Sequence, residues 1–476
     1  MQLPAMEPYT TLISDDTICA ISTPHGTGGI AVIRISGPDT IDIVSHVWHG
    51  KPLATATSHT AHLGNIIDGS GEVVDQAVAT VFRGPHSFTG EDVVELSVHG
   101  SPYIQQRVLS ILTQHGARIA EAGEFTRRAF SNGRIDLIQA EGIADVIASR
   151  TAASHRLAMS QMRGGFSSRI KLLHDRLLEM ASLLELELDF SEEDVEFASR
   201  ETLISLAEEI LACVTKLADS FDKGRVIKEG IPVTITGETN AGKSTLLNSL
   251  LGEDKAIVSD IHGTTRDSIE DTVNIGGHLF RFIDTAGLRD TEDPIESIGI
   301  SRAMDNIAKA SIVIWMVDST STLSSAIASW SRIAPRLQDQ TDLVIFINKS
   351  DINAEASGLQ KELTDIIAPS SDVHWVIGSA RSESDITTLQ DTLSEIAAAT
   401  ASPEGEITVT NLRHYQSLTA ASRAIRQAIR ALRDNIPGDL VAQDIRETLY
   451  HLSTLTGTIT TPDLLSNIFA NFCIGK

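Results

Sequence analysis

The rhythm of hydrophobic and polar positions changes three times along the chain. Up to residue 131, apolar and polar residues alternate in short runs such as IAVIRISG and DVVELSVHG, broken by turn residues. Period-two alternation marks half-buried strands, so 1–131 is expected to form an α+β domain. Beyond it, LIQAEGIADVIASR and KLLHDRLLEMASLLELEL place apolar side chains three or four residues apart, which predicts amphipathic helices over 132–229. Over 230–400 the apolar runs PVTITG, LFRFID, SIVIWMVD, LVIFIN and VHWVIG are separated by helical stretches. That pattern predicts a mainly parallel sheet with helices on both faces. Residues 401–476 return to helical spacing, with Thr461 placed to cap a helix that opens on Pro462. The expected class is multidomain α/β, with one helical domain into which the α/β unit is inserted.

Composition narrows what such a chain can do. Its 476 residues fit about three domains at roughly 100 to 200 residues each, and 42% apolar with 21% charged residues is a globular mix. The 38 basic and 63 acidic side chains give −25, which excludes a simple polycation. Residues 185–209 hold ten acids and one arginine, −9 of that total, so any nucleic-acid contact must be local or shared with a partner. Cys19, Cys213 and Cys473 are too scattered for a metal site or a disulfide framework. No apolar run approaches the ~18 residues of a membrane span, and no basic-then-apolar leader opens the chain. A cytoplasmic protein with no membrane partner is expected. The ending Cys473-Ile-Gly-Lys is a poor prenylation box, because lysine is an unsuitable last residue and nothing polybasic precedes it.

After the strand-like PVTIT comes GETNAGKST, a G-x-x-x-x-G-K-S loop leading into a helix. Glycines let the backbone wrap phosphates, while Lys243 suits the β and γ phosphates and the Ser244 hydroxyl suits Mg²⁺. This assigns Asn240, Ala241, Gly242, Lys243, Ser244 and Thr245 to nucleotide binding. Three segments follow in the order a GTPase requires. Ser259, Asp260, Ile261, His262, Gly263, Thr264 and Thr265 form a candidate switch loop, with Thr265 placed to close on Mg²⁺ and the γ phosphate. Asp284, Thr285, Ala286 and Gly287 end the run LFRFI, where Asp284 can reach the magnesium shell. Asn348, Lys349, Ser350 and Asp351 end LVIFI, and the Asp351 carboxylate can accept from the ring N–H and exocyclic amine of guanine. Adenine would leave that carboxylate unpaired, so guanine is the expected base. Ser379, Ala380 and Arg381 fit the loop that completes the base pocket. Leu288 follows Gly287 where many GTPases carry a glutamine, so another group must orient water. Glu296, Glu292 and Asp293 are the candidates, and no arginine finger is identifiable.

The motifs GETNAGKST, SDIHGTTRD, DTAGLRD with ESIGI, NKSD, FTGEDVVELSVHG, GEFTRRAFSNGRIDLIQAEGIADVI and the ending FCIGK together resemble the MnmE (TrmE) family of bacterial tRNA-modification GTPases. The resemblance covers essentially the whole chain. It implies a homodimer with an N-terminal tetrahydrofolate domain, a helical domain and an inserted GTPase domain. It also implies a partner, the flavoprotein MnmG (GidA), in a heterotetramer or larger complex, with FAD on that partner only. Together they add an aminomethyl or carboxymethylaminomethyl group at C5 of the wobble uridine of certain tRNAs. The carbon comes from 5,10-methylene-tetrahydrofolate, for which 5-formyl-tetrahydrofolate is an analogue.

By resemblance, Asn240, Ser259, Ile261 and Thr264 correspond to potassium contacts, Ser244 and Thr265 to magnesium contacts, and Glu296 to the catalytic glutamate. The folate contacts correspond to Arg34, Glu95, Arg134 and Lys476, and Cys473 to a thiol near the modification site with no assigned role. Thr239 stands where the family usually has proline, and Arg134 where it often has lysine. Arg423, Arg426, Arg430 and Arg433 fall at i, i+3, i+7 and i+10 of a helix, a stripe that is either a solvated face or a contact for tRNA phosphates or an acidic partner. The alternative function, a ribosome-assembly GTPase with the same core, would call for an RNA-binding appendage such as a KH domain after it, and the C-terminal sequence has no basic GxxG loop.

Overall fold

The computed structural model of the chain describes residues 16–189, 199–252, 271–283, 306–353, 356–367, 373–399, 407–470, 472, 474 and 475. They group into two units, one within Met1–Ile147, Met159–Ile210 and Ala420–Lys476, the other within Ala148–Ala158 and Leu211–Thr419.

The first unit contains the strands β1 (Ile18–Ile21), β2 (Gly28–Ser36), β3 (Trp48–Gly50), β4 (Thr60–Ile67), β5 (Val73–Phe82), β6 (Val93–Gly100) and β7 (Arg118–Ile119). They form one mixed sheet in the order β3-β4-β5-β6-β2-β1-β7, antiparallel except where β1 meets β7. Alternation decides which side chains reach the core. Ala77, Ala79 and Val81 of β5, with Ile33, Ile35, Val94 and Leu96, pack beneath Ile41 and Val44 of helix Thr40–Val47 and Val108, Ile111 and Leu112 of helix Pro102–Gln114. The intervening residues point away from that core, and among them Arg34 of β2 stands directly opposite Glu95 of β6.

An ion cluster anchors the rim of this sheet. Arg128, almost fully buried, binds Asp16, Glu91 and Glu124, and Arg118 binds Asp16 and Glu124. Burial disfavours the charge on Asp16, but hydrogen bonds from Arg118 and Arg128 outweigh it and hold the carboxyl at about 2. The Ser36 hydroxyl donates to Glu91 and lies 2.7 Å from the Thr89 hydroxyl, so the cluster also fixes the loop before β6.

The helical part of this unit pairs Gly165–Asp189 with Gly438–Thr456. Leu173, Leu177, Met180 and Leu184 are buried at three- and four-residue spacing, as are Val441, Ile445, Thr448 and Leu452 on the other helix. Helix Pro462–Phe469 is capped by the Thr461 hydroxyl, which accepts from the Leu464 N–H. Phe469 meets Phe130 at 6.5 Å between ring centroids. The chain end then turns back, pairing Ala122 with Ile474 and placing the Gly475 carbonyl 3.0 Å from the Ser22 hydroxyl.

The second unit carries β8 (Ile231–Gly237), β9 (Asp271–Ile275), β10 (His278–Phe282), β11 (Ile312–Asp318), β12 (Asp342–Asn348) and β13 (Val373–Ile377). Their order is β13-β12-β11-β8-β10-β9, and only β9 with β10 is antiparallel. The unbroken apolar run of β11 is explained by two covered faces. Ile312, Ile314 and Met316 pack with Leu246 and Leu250 of helix Lys243–Leu251 and Leu389 and Leu393 of helix Glu383–Ala399. Val313, Trp315 and Val317 face the opposite layer, against Ala326 of helix Leu323–Ile333 and Leu363 of helix Ala356–Ile366. The three kinds of structure predicted from hydrophobic rhythm, an α+β part, helices and a mainly parallel sheet, are all present.

Candidate functional site

The second unit assembles its candidate site at the C-terminal ends of parallel strands, where crossover loops converge. From the end of β8 the chain turns through Gly237 (φ 144°), Asn240 (φ 64°) and Gly242 (φ 99°) into helix Lys243–Leu251. These left-handed residues turn the loop into the first turn of that helix, whose N-terminal end favours an anion through the helix dipole. Two glycines are required by close approach as well as by φ. A Cβ on Gly237 would sit 2.3 Å from the Met316 carbonyl oxygen, and one on Gly242 would sit 2.2 Å from Asn348 Nδ2. Lys243 folds over the loop, its Nζ donating to the carbonyls of Gly237 (3.1 Å) and Glu238 (2.7 Å). Burial lowers its pKa, opposed by the nearby Glu238 charge.

Asn348 ties this loop to the others. It is almost fully buried at the end of β12; its Nδ2 donates to the Ala241 carbonyl (2.7 Å), and its Oδ1 accepts from the Ala380 N–H (2.8 Å). Its neighbours are equally constrained. Lys349 takes φ 65° and its ammonium binds Asp318 at 2.6 Å, while the Ser350 N–H donates to the Gly378 carbonyl. The Ser379 N–H donates to Asp385 (2.8 Å), the Arg381 N–H donates to the Ser379 hydroxyl (3.4 Å), and the Ala380 carbonyl accepts from the Ser249 hydroxyl (2.8 Å). Asp351 is left exposed beyond them. Among the expected residues, Asn240–Thr245, Asn348–Asp351 and Ser379–Arg381 thus lie on three neighbouring loops. Ser259, Asp260, Ile261, His262, Gly263, Thr264, Thr265, Asp284, Thr285, Ala286, Gly287 and Glu296 lie outside the described residues.

Sequence reading missed the residues that brace these loops. Asp318, last in β11, opposes Asn348 in the sheet register and holds Lys349. Burial works against its charge, but hydrogen bonds from Lys349 and Thr320 prevail and lower its pKa. Asp385 and Ser249 act on the 379–381 loop, and Glu238 accepts a hydrogen bond from Ser325. The one sequence signal was an acid ending the apolar run WMVD, where a carboxylate needs a partner.

In the first unit, Arg34 and Glu95 are joined by two guanidinium contacts of 2.8 and 2.9 Å, on the sheet face away from its helices. Arg34 also donates to the Gly475 carbonyl at 3.3 Å and lies 5.5 Å from the Phe88 ring centroid. Phe88 in turn lines a cavity of about 500 Å³ with Arg134, Ser87, His59 and His86. Of the four expected folate residues, Arg34 thus lies near the Phe88 ring and pairs with Glu95, and Arg134 lines the same cavity as Phe88. Lys476 and Cys473 lie outside the described residues, although Ile474 and Gly475 show the tail running to Arg34. Among the described residues no group of three or more His, Cys, Asp or Glu side chains could hold a metal ion, and no helix is long and apolar enough to cross a membrane.

Comparison with known proteins bears on both units. A family model described as the GTP-binding protein TrmE N-terminus matches residues 17–134, and one described as the MnmE helical domain matches residues 137–473. A protein of Parabacteroides distasonis named tRNA modification GTPase MnmE is 51% identical over 97% of this chain and 100% of its own length. A protein of the same name from Bacteroides fragilis strain YCH46 is 49% identical over 98% of this chain and 100% of its own. Among solved structures, a GTP-binding protein of Sulfolobus solfataricus in complex with GDP shares 18% identity over 48% of this chain and 68% of that one. Its TM-score is 0.28.

Proposed function

The chain belongs to the MnmE family of tRNA modification GTPases, and from that membership we propose that it hydrolyses GTP to drive modification at C5 of a tRNA wobble uridine. The observation that carries the nucleotide half is Asn348, which locks a phosphate-binding loop to two base-binding loops. The domains in this reading are 1–131 for folate, 132–229 and 401–476 for the helical domain, and 230–400 for the inserted GTPase.

GTP would lie against Asn240–Thr245 with guanine on Asp351. Lys243 would exchange its two loop carbonyls for phosphate oxygens, a gain because its ammonium then meets full negative charge. Ser244, in the first turn of its helix, suits Mg²⁺ together with Thr265. Asn240, Ser259, Ile261 and Thr264 are assigned to K⁺, which supplies positive charge where no arginine finger is identifiable. Glu296 is the group that orients water. One assay tests these assignments: turnover is expected to be at least tenfold faster in KCl than in NaCl, and Glu296→Ala to lose turnover while keeping GTP affinity. Equal rates in the two salts would remove K⁺, and a collapse of affinity would make Glu296 structural.

The cavity beside Phe88 fits a flat heterocycle with an anionic tail, since it has an aromatic wall and the cationic Arg134. Bound methylene-tetrahydrofolate supplies the one-carbon unit. Arg34 positions the Glu95 carboxylate to accept from the pterin N–H groups, and Arg134 and Lys476 offer charge to the glutamate tail. The partners in this reading are a second copy of the chain, the flavoprotein MnmG, which carries the FAD, and tRNA, in the cytoplasm. The decisive experiment is nucleoside mass spectrometry of tRNA from cells lacking the protein. The C5 group should be missing from wobble uridine, and an unchanged nucleoside profile would sink the proposal.

A further inference from the structure

Helix Leu412–Arg433 divides its last three turns sharply. Ala421, Ala424, Ile425, Ala428, Ile429 and Leu432 are buried, while Arg423, Arg426, Arg430 and Arg433 are exposed on the other side. Arg433 pairs with Glu208. Among the described residues, Arg423, Arg426 and Arg430 have neither an ion pair nor a side-chain hydrogen bond, although Asp434 stands four residues after Arg430. Arginines at i, i+3 and i+7 repel one another, which weakens the helix that carries them. A stripe serving only solubility would intersperse acids, as the rest of this acidic chain does.

The surroundings identify the class of partner. Between Ala420 and Asp434 no large apolar side chain is exposed, and Gln427 lies among the arginines. A stable protein interface centres on buried aromatic or aliphatic anchors, which this surface lacks. A nucleic-acid backbone needs none, because its affinity comes from phosphates neutralised one by one, and guanidinium groups bind phosphate through paired N–H donors. Arg423 to Arg430 spans roughly 10 Å of helix at 1.5 Å per residue, enough to engage neighbouring phosphates rather than a single anion.

We infer that Arg423, Arg426 and Arg430 form a contact for the phosphate backbone of tRNA, a local docking stripe on a chain whose net charge of −25 repels RNA elsewhere. The inference rests on the tRNA-modification reading and adds the surface through which the RNA is held.

The test is fluorescence anisotropy of a labelled tRNA transcript with the full-length chain across 50 to 200 mM KCl. Arg423→Gln/Arg426→Gln/Arg430→Gln should reduce the slope of log affinity against log salt by about 2, at roughly 0.7 to 0.9 per lost contact. Over that fourfold salt range the wild type then loses roughly 20- to 40-fold more affinity than the variant. The corresponding triple lysine variant should keep most of the slope, and an unchanged circular dichroism melt shows that the glutamine variant is folded. An unchanged slope in the glutamine variant overturns the stripe alone. The stripe is likewise overturned, in favour of a protein contact, if that variant keeps the tRNA slope but loses binding to the flavoprotein partner. Absence of any salt-dependent tRNA binding by the wild type overturns the stripe and counts against the functional reading beneath it.

Discussion

Gly242→Ala should weaken GTP binding by about two orders of magnitude or more while leaving the fold in place. At φ 99° an alanine is strained by about 1–2 kcal/mol. Its Cβ would also sit 2.2 Å from Asn348 Nδ2, a contact that only movement of Asn348 relieves. Moving Asn348 breaks its bonds to the Ala241 carbonyl and the Ala380 N–H, and each buried group left unpaired costs roughly 1–3 kcal/mol. The sum, about 3–8 kcal/mol, corresponds to a loss of about two decades or more at 1.4 kcal/mol per decade. The core below the loop, with Leu246, Leu247 and Leu250 against Ile314 and Met316, is untouched. Equilibrium titration with a fluorescent GTP analogue measures the effect, and an affinity within threefold of wild type would show that the loop tolerates a side chain there.

Asp351→Asn is expected to exchange guanine for xanthine. In the proposed site the carboxylate would accept from both the ring N–H and the exocyclic amine of guanine, and a site built around two such bonds rejects a mismatched base by about 10⁴ to 10⁵. Asparagine keeps one acceptor but turns an amide N–H toward the guanine amine, donor against donor. Xanthine carries a carbonyl at that position and restores both bonds. The substitution should cause little rearrangement because Asp351 is exposed, and its loop is held by Lys349 on Asp318 and Ser350 on Gly378. Competition titrations with GTP and xanthosine triphosphate should reverse in order. A variant that still prefers GTP would show that base selection lies in another residue.

Asp351 and Asn348 illustrate different degrees of legibility. Asp351 is proposed from its motif because a carboxylate there matches the chemistry of guanine. Asn348 was legible as a member of the same motif, but its work is internal, joining two loops that are remote in the chain. Asp318 was legible only as an acid ending an apolar run, and Asp385 not at all. An acid at a strand end has many uses, and only the register of β11 against β12 and the turn after β13 bring these two to Lys349 and Ser379. Arg34 was similarly ambiguous in a run that could have been a plain strand edge, until the pairing of β2 with β6 set it opposite Glu95.

The sequence by itself determined the rhythm of strands and helices, the phosphate loop and the guanine motif. Those signals are local: side-chain periodicity follows from backbone geometry, and a loop around phosphate needs glycine at set spacings. Tertiary structure decided which faces are covered, as in β11, where alternate side chains enter two separate cores. It also decided that Phe88 lies between Arg34 and the cavity lined by Arg134, that the tail reaches Arg34, and that Arg423, Arg426 and Arg430 of one helix stripe are left without a partner among the described residues. Each depends on contacts between segments tens to hundreds of residues apart, which no periodicity encodes.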